Sequence, residues 1–422
     1  MKIEVVTIGD ELLLGFTIDT NAAHLARELA AIGVEITRRT TAGDSAEEIG
    51  SAVRGALERA DGVITTGGLG PTSDDMTKPA IAAIFGRRMY RDEAVVRSLE
   101  ERWKRMGRRG PIPESNFSQA MIPEGAAIIP NAHGSAPGIW LEDDRRRWVA
   151  MLPGVPREMR SMLSEELIPR LLARMRGDGN TAASDNVVMS WTLRTTGIAE
   201  SALADMLGER GKSVEGLSPA FLPSVEGVDI RLTSRGVPQS QAIPRLEAAV
   251  GKLRSIIGQH VYGEGSTDLA AVVLDLCRAD GIRIAVAESC TGGLLGARIT
   301  AIPGSSDVFL GGMLVYDNST KIDLLGVDKT EIETHGAVSE PVAVAMARAV
   351  RSRLSADIGI SITGIAGPGG GTPEKPVGTV WIALDGRVSG ARGLRLIGDR
   401  AEIRQRSAQA ALDFVRRQLQ TG

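Results

Sequence analysis

The stretch "DGVITTGGLGPTSDDMTKPAIAAIFG" (residues 61–86) carries the fold in miniature. A short apolar run enters a turn built on Gly67, Gly68 and Gly70, and "TKPAIAAIFG" then reads as a helix. A strand feeding a helix through a tight glycine turn is half of a β-α-β unit, so a parallel sheet covered on both faces is expected. The alternation extends to either side. "IEVVTIG" (3–9) is a strand, and "TNAAHLARELAAIG" (20–33) a helix with Thr20 or Asn21 as cap and Gly33 as stop. "VEITRRTTAGD" (34–44) is a second strand. The helix "SAEEIGSAVRGALERA" (45–60) opens on Ser45, with Glu48 three residues on, a capping box. An Arg-rich helical stretch (91–109), a strand in "RRWVAMLPGVP" (146–156) and the helix "REMRSMLSEELIPRLLARM" (157–175) close a first α/β domain over 1–175.

Beyond it the pattern changes. "RGDGNTAASDN" (176–186) has the composition of a linker. Two strands (187–197 and 228–236) and two helices (198–210 and 242–258) then form a small α+β module over 176–262, and "QHVYGEGST" (259–267) reads as a hinge. A second α/β pattern occupies 263–422. There "IRIAVAES" (282–289), "VFLGGMLVY" (308–316), "IGISITG" (358–364) and "GTVWIAL" (378–384) are strands, separated by helical segments. Three domains are expected.

Bulk composition narrows the function. The chain has 422 residues, 43% hydrophobic and 24% charged, which suits globular domains with sizeable cores. A net charge of −3 argues against a large phosphate-neutralising surface, so no nucleic-acid partner is expected. Cys277 and Cys290 are too few for a disulfide framework and lack metal-ligand spacing; a reducing, cytoplasmic setting is expected. No apolar run reaches the ~20 residues of a membrane span, and the N-terminus reads as a strand rather than a secretion signal.

Three constellations carry chemistry. In the opening stretch, the glycines expose backbone N–H groups that can hold an anion where a helix begins, and Asp74 and Asp75 beside them can hold a hard cation. In the middle module "GERG" (208–211) fits a GxxG loop, but without neighbouring lysines or stacking aromatics it reads as a spacer. Near the C-terminus, "AIPGSSDVFLGGMLVYDNSTKIDLLGV" (301–327) brings Ser306, Tyr316 and Lys321 into a short span. A serine nucleophile needs a base, and a lysine can serve if burial keeps it neutral. Only eight of the 49 basic residues are lysines. Lys321 is expected in the first turn of a helix capped by Asn318 or Ser319, with Tyr316 relaying a proton. Two glycine loops, "AESCTGGLLGA" (287–297) and "SITGIAGPGGG" (361–371), would flank these groups at strand ends, one holding a phosphate and the other a ribose or amide. Cys290 is expected to be a buried structural thiol, and His24 and His133 surface or loop residues.

The motifs resemble a known family. "TTGGLGPTSDDMT" is similar to the loop of the molybdopterin-binding MoaB/MogA fold, with Gly67, Gly68, Gly70, Asp75 and Thr77 at matching positions and Asp44 in the place of that fold's other functional acid. With "NAHGSAPG" (131–138) and "LPGVPREM" (152–159) it resembles the N-terminal domain of the competence/damage-inducible protein A (CinA) family. That implies a three-layer α/β domain and a metal-dependent ADP-ribose pyrophosphatase, with a phosphate site at Gly67, Gly68, Gly70 and Thr77. Asp44, Asp74 and Asp75 would take Mg or Co. The chain departs from the pterin enzymes in reading GGLG for GGTG, and in an acid at 74 where they carry arginine. The middle domain of this family is KH-like.

"AESCTGG", "PGSS", "VYDNSTK", "SITGIAGPGG" and "GDR" follow, in order and spacing, the family's C-terminal domain and the stand-alone nicotinamide-nucleotide amidase. The resemblance implies a Ser/Lys hydrolase that needs no cofactor and converts nicotinamide mononucleotide to nicotinate mononucleotide and ammonia. Ser306 would be the nucleophile, Lys321 the base and Tyr316 its hydrogen-bond partner. Ser289, Thr291, Gly292, Gly293, Thr363 and Arg400 (rather than Arg404) would bind substrate. A homodimer is implied as well. The competing expectation is a non-catalytic competence or DNA-damage binding protein with a degenerate molybdopterin-type domain.

Overall fold

A computed structural model describes residues 1–108, 110–177 and 186–421. Most of the expected linker therefore lies outside the described residues. The chain forms two compact units, Met1–Met189 with Ser234–Pro244, and Ser190–Thr233 with Arg245–Gly422.

In the first unit, strands β1 (Lys2–Ile8), β2 (Glu35–Ala42) and β3 (Gly62–Thr66) start a sheet. A small ribbon, β4 (Met89–Arg91) with β5 (Met121–Pro123), stands apart from it. The sheet is completed by β6 (Ala127–Ile129), β7 (Gly138–Glu142) and β8 (Trp148–Leu152), in the order β2-β1-β3-β8-β7-β6. Its first four strands are parallel, while β7 and β6 run antiparallel. Every residue of β3 and β8 is buried, as a sheet covered on both faces requires. One core joins the helices Ala46–Arg59, Thr77–Ile84 and Glu93–Arg105 to one face. Another joins Thr20–Ala31, Pro156–Met162 and Ile168–Gly177 to the other, so the three-layer α/β domain expected from sequence is formed.

Local signals were legible to within a residue or two. The helix Thr20–Ala31 is capped by Asp19, whose side chain accepts from Ala22 N–H, not by Thr20 or Asn21. Ser45 caps its helix as expected, but Glu48 turns to the Gly43 N–H at 2.9 Å instead of closing the box on Ser45.

A middle sheet has the order β10-β11-β9-β12, from β9 (Asn186–Thr195), β10 (Ala220–Pro223), β11 (Val228–Pro238) and β12 (Val261–Glu264). The expected hinge at 259–267 is thus a correction: Val261–Glu264 pairs antiparallel with β9, and Tyr262 is buried. "GERG" forms a single 3-10 turn that continues the helix Glu200–Leu207, not an open loop.

The C-terminal sheet has the order β14-β13-β15-β16-β17, from β13 (Ile284–Glu288), β14 (Phe309–Leu314), β15 (Ile358–Gly364), β16 (Thr379–Gly386) and β17 (Gly390–Arg395). β14, β13 and β15 are parallel, and the last two strands return antiparallel. Most of the middle module shares one compact unit with the C-terminal domain, and charged side chains link the two. Asp413 and Arg416 are 1% and 2% exposed, and Arg416 donates to the Gln259 carbonyl at 2.9 Å. Arg298 pairs with both Glu226 and Asp268.

Candidate functional site

The N-terminal glycine turn lines a cleft of about 490 Å³. Gly67 and Gly68 take φ of 107° and 64°, which only glycine adopts without strain. A Cβ on Gly67 would meet the Ile8 carbonyl at 2.2 Å, so this turn is packed against β1 as well as bent. Asp75 is not free for a metal. Its Oδ1 accepts from Gly70 N–H at 2.7 Å, and its Oδ2 from Thr72 N–H at 2.8 Å and Thr72 Oγ1 at 2.5 Å. Thr77 is fully buried and donates to the Gly67 carbonyl at 2.9 Å, which makes it a builder of the turn and not a phosphate ligand.

Asp44 and Asp10 hold each other's loops, Asp44 Oδ2 accepting from Asp10 N–H at 3.0 Å. Asp74 is exposed. All three expected acids line the cleft. Yet among the described residues no three acidic, His or Cys side chains group so as to hold a metal ion. The donor set does not fit a protein-built cation cage.

Sequence reading missed three residues here. Lys78 is 3% exposed and donates to the Ser118 and Gln119 carbonyls at 2.7 and 3.1 Å; burial pushes its ammonium down to about 8, against the pull of Asp75. Asn21 and Gln119 line the cleft, and their Oδ1 and Oε1 atoms are buried without a donor among the described residues. Only Lys78, polar at a core-facing helical position, left a mark in the sequence. His133 is an exposed loop residue, and His24 sits partly buried on its helix.

The C-terminal groups gather at the carboxyl ends of β13, β14 and β15, where open α/β sheets receive ligands. Lys321 stands on the short helix Asn318–Asp323, whose cap is Asp317 and not Asn318 or Ser319. Its side chain is turned inward, 1% exposed, and Nζ donates to the Tyr316 carbonyl at 3.0 Å. Burial lowers the Lys321 pKa from its ordinary value, opposed by Asp317 and Cys290. The Tyr316 hydroxyl does not reach this amine as a relay. It accepts from Arg400 Nη2 at 2.9 Å, while Arg400 Nη1 donates to the Gly367 carbonyl at 2.7 Å. Arg400 thereby ties the loop after β14 to the loop after β15. Arg404 instead closes on the Thr291 carbonyl at 2.7 Å. Thr363 is buried and donates to the Ala337 carbonyl, and Ser289 N–H donates to Ile362 across the strand ends.

The turn at Gly292 and Gly293, expected to bind substrate, is a second correction. Gly292 N–H donates to Ser289 O at 3.1 Å. Glu288, 1% exposed, takes Gly293 and Leu295 N–H on Oε2 at 3.0 Å each, and Gly296 N–H on Oε1 at 2.8 Å. The chain's own carboxylate fills the place an anion would take. An acid immediately before the "SCTGG" turn was the signal for it. Cys290 is buried and its thiol is pushed up to about 12, the structural state expected of it.

Within one chain the structure does not bring Ser306 beside Lys321. Ser306 is exposed in the 3-10 turn Ser305–Asp307, which Arg278 clamps through Asp307 at 2.8 Å and the Gly304 carbonyl at 2.9 Å. That turn precedes β14, whereas Tyr316 and Lys321 follow it. The six residues of β14 separate the two groups by on the order of 15 Å, at opposite ends of the sheet.

The fold is of the class that joins a molybdopterin-binding-type domain to a KH-type module and a third α/β domain. Family models match in that order: "Probable molybdopterin binding domain" over 4–173, "Damage-inducible protein CinA KH domain" over 190–263, and "CinA C-terminal domain" over 266–419. A CinA-like protein of Gemmatimonas aurantiaca is 60% identical over 99% of this chain and 96% of its own length. One from Salinibacter ruber is 43% identical over 99% of this chain and 100% of its own. The solved competence/damage inducible protein of Agrobacterium tumefaciens is 40% identical, covering 35% of this chain and 90% of its own at a TM-score of 0.34. The chain belongs to the CinA family.

Proposed function

We propose that the C-terminal domain is an amidohydrolase that cleaves the carboxamide of nicotinamide mononucleotide, with Lys321 as base and Ser306 as nucleophile. The observation that supports it best is Lys321 itself. A lysine 1% exposed at the mouth of three parallel strands, anchored by one backbone carbonyl, is built to stay neutral. Neutral Nζ takes the serine hydroxyl proton while Oγ bonds to the carboxamide carbon. The same proton passes to the leaving nitrogen as the C–N bond breaks, releasing ammonia and leaving an ester. Water then adds to the ester carbon, gives one proton to Nζ, and the serine leaves with it. Nicotinate mononucleotide is released. Arg400, between Tyr316 and Gly367, supplies a cation for the phosphate. Ammonia release by the full-length protein tests the reading. Ser306→Ala and Lys321→Ala are each expected to lower the rate by about 10³-fold or more; full activity in both variants overturns it.

A second reading, ADP-ribose pyrophosphate hydrolysis in the N-terminal cleft, is favoured by the cleft's two unpaired buried acceptors, Asn21 Oδ1 and Gln119 Oε1. Such atoms suit a ligand that brings hydroxyl or amino hydrogens along with its phosphates. AMP release from ADP-ribose with Mg²⁺ or Co²⁺ added tests it, and no turnover with either metal counts against it.

A further inference from the structure

Strand β14 forms one margin of the C-terminal sheet and is bonded to β13 alone. Its sequence, FLGGML, has neither the charge nor the proline that commonly guards an open edge. Leu310 and Leu314 along it are 36% and 57% exposed, and Tyr316 just beyond is 62% exposed. The groups of the proposed amidase are divided by this same strand, Ser306 before it and Lys321 after it. An edge strand can pair with its own copy about a two-fold axis, and such a pair is necessarily antiparallel. Antiparallel pairing sets the start of one strand beside the end of the other. With the axis between Gly311 and Gly312, Phe309 faces the partner's Leu314. Ser306 then falls level with the partner's Asp317, the cap of the helix that carries Lys321. A shift of one residue either way, as the irregularity near Leu310 allows, still leaves Ser306 level with the partner's Tyr316 or Asn318.

We infer that a second copy of this chain completes the amide-cleaving site: β14 pairs antiparallel with the partner's β14, and Ser306 of each protomer serves Lys321 of the other. The inference rests on the Ser306/Lys321 reading above, and it removes the obstacle of about 15 Å that a single chain poses to that reading. It also covers the exposed leucines of β14 and satisfies its outward backbone groups.

The test is intersubunit complementation. Full-length Ser306→Ala and Lys321→Ala chains carrying different tags are co-expressed, and the doubly tagged species is purified. In that heterodimer one composite site has both mutations and the other has neither, so about half the wild-type rate per dimer returns although each variant alone is inactive. A doubly tagged species as inactive as its parents, or failure to recover one, overturns the inference. A wild-type protein inactive on nicotinamide mononucleotide would instead sink the amidase reading, and the pairing is then decided by cross-linking. A Ser306→Cys/Asp317→Cys chain treated with a short bis-maleimide should give a covalent dimer that Ser306→Cys alone does not; no dimer overturns the pairing.

Discussion

The loop after β3 and the loop after β13 look alike in sequence: strand, glycine turn, helix, with an acid close to the glycines. In the molecule they are put to opposite uses. After β13, Glu288 draws three N–H groups onto a buried carboxylate, so the turn is neutralised from inside and Gly292 and Gly293 offer no free amide there. After β3, Asp75 binds further along, at Gly70 and Thr72, and leaves Gly67 and Gly68 lining an open cleft. The lysines invert the contrast. Lys78 is fastened to two carbonyls, Lys321 to one. A loop's glycines do not say whether it binds an anion; the position of its nearest carboxylate does.

The largest expected effect separates the two lysines. Lys321→Arg keeps the positive charge but cannot become neutral, and the amidase rate should fall about 10³-fold. Lys78→Met should leave that rate unchanged. The wild-type rate should also decline toward low pH, because acid converts the buried Lys321 amine to ammonium. An active Lys321→Arg enzyme would make the lysine a mere cation and erase the distinction.

The carboxylates give the next effect, read by urea unfolding. Glu288→Ala strands three amides at a buried helix start and should cost about 3 kcal/mol. Asp75→Ala, on a partly exposed loop, should cost about 1 kcal/mol. Equal costs would mean that burial does not set the two loops apart.

These groups also mark how far the sequence could be read. Strand–helix alternation gave the parallel strands, because apolar runs such as "IAVAE" and "GVITT" have no other home. The short strands β6, β10, β12 and β17 were not legible, since three to six residues are too few to show a period. Lys321, Thr363 and Arg400 do converge on one set of strand ends. Ser306 does not, because a residue's place along the chain says nothing of which end of a strand it meets until the register is known.

Lys78 yields a pH dependence in stability. Below about pH 8 the folded and unfolded chains both hold its proton, so it adds no slope. Between about 8 and its ordinary 10.5 only the unfolded chain keeps the proton, so stability climbs as pH rises. Lys78→Met should remove that rise from the melting curve of the full-length protein. A rise unaltered by the substitution would assign it elsewhere, Lys321 being the other buried amine with the same sign.

Tyr316→Phe should have the smallest effect, and the most instructive one. The hydroxyl lost is the acceptor for Arg400, while the backbone carbonyl that holds Lys321 remains. Arg400 keeps its bond to Gly367 but is freer to swing, so KM for nicotinamide mononucleotide should rise about 5- to 10-fold with kcat little changed. The reverse pattern, kcat lowered at constant KM, would make the phenol a proton carrier after all. That would require it to leave Arg400 for Lys321 in the working enzyme, and the two arginine-bridged loops would then have to part before each turnover.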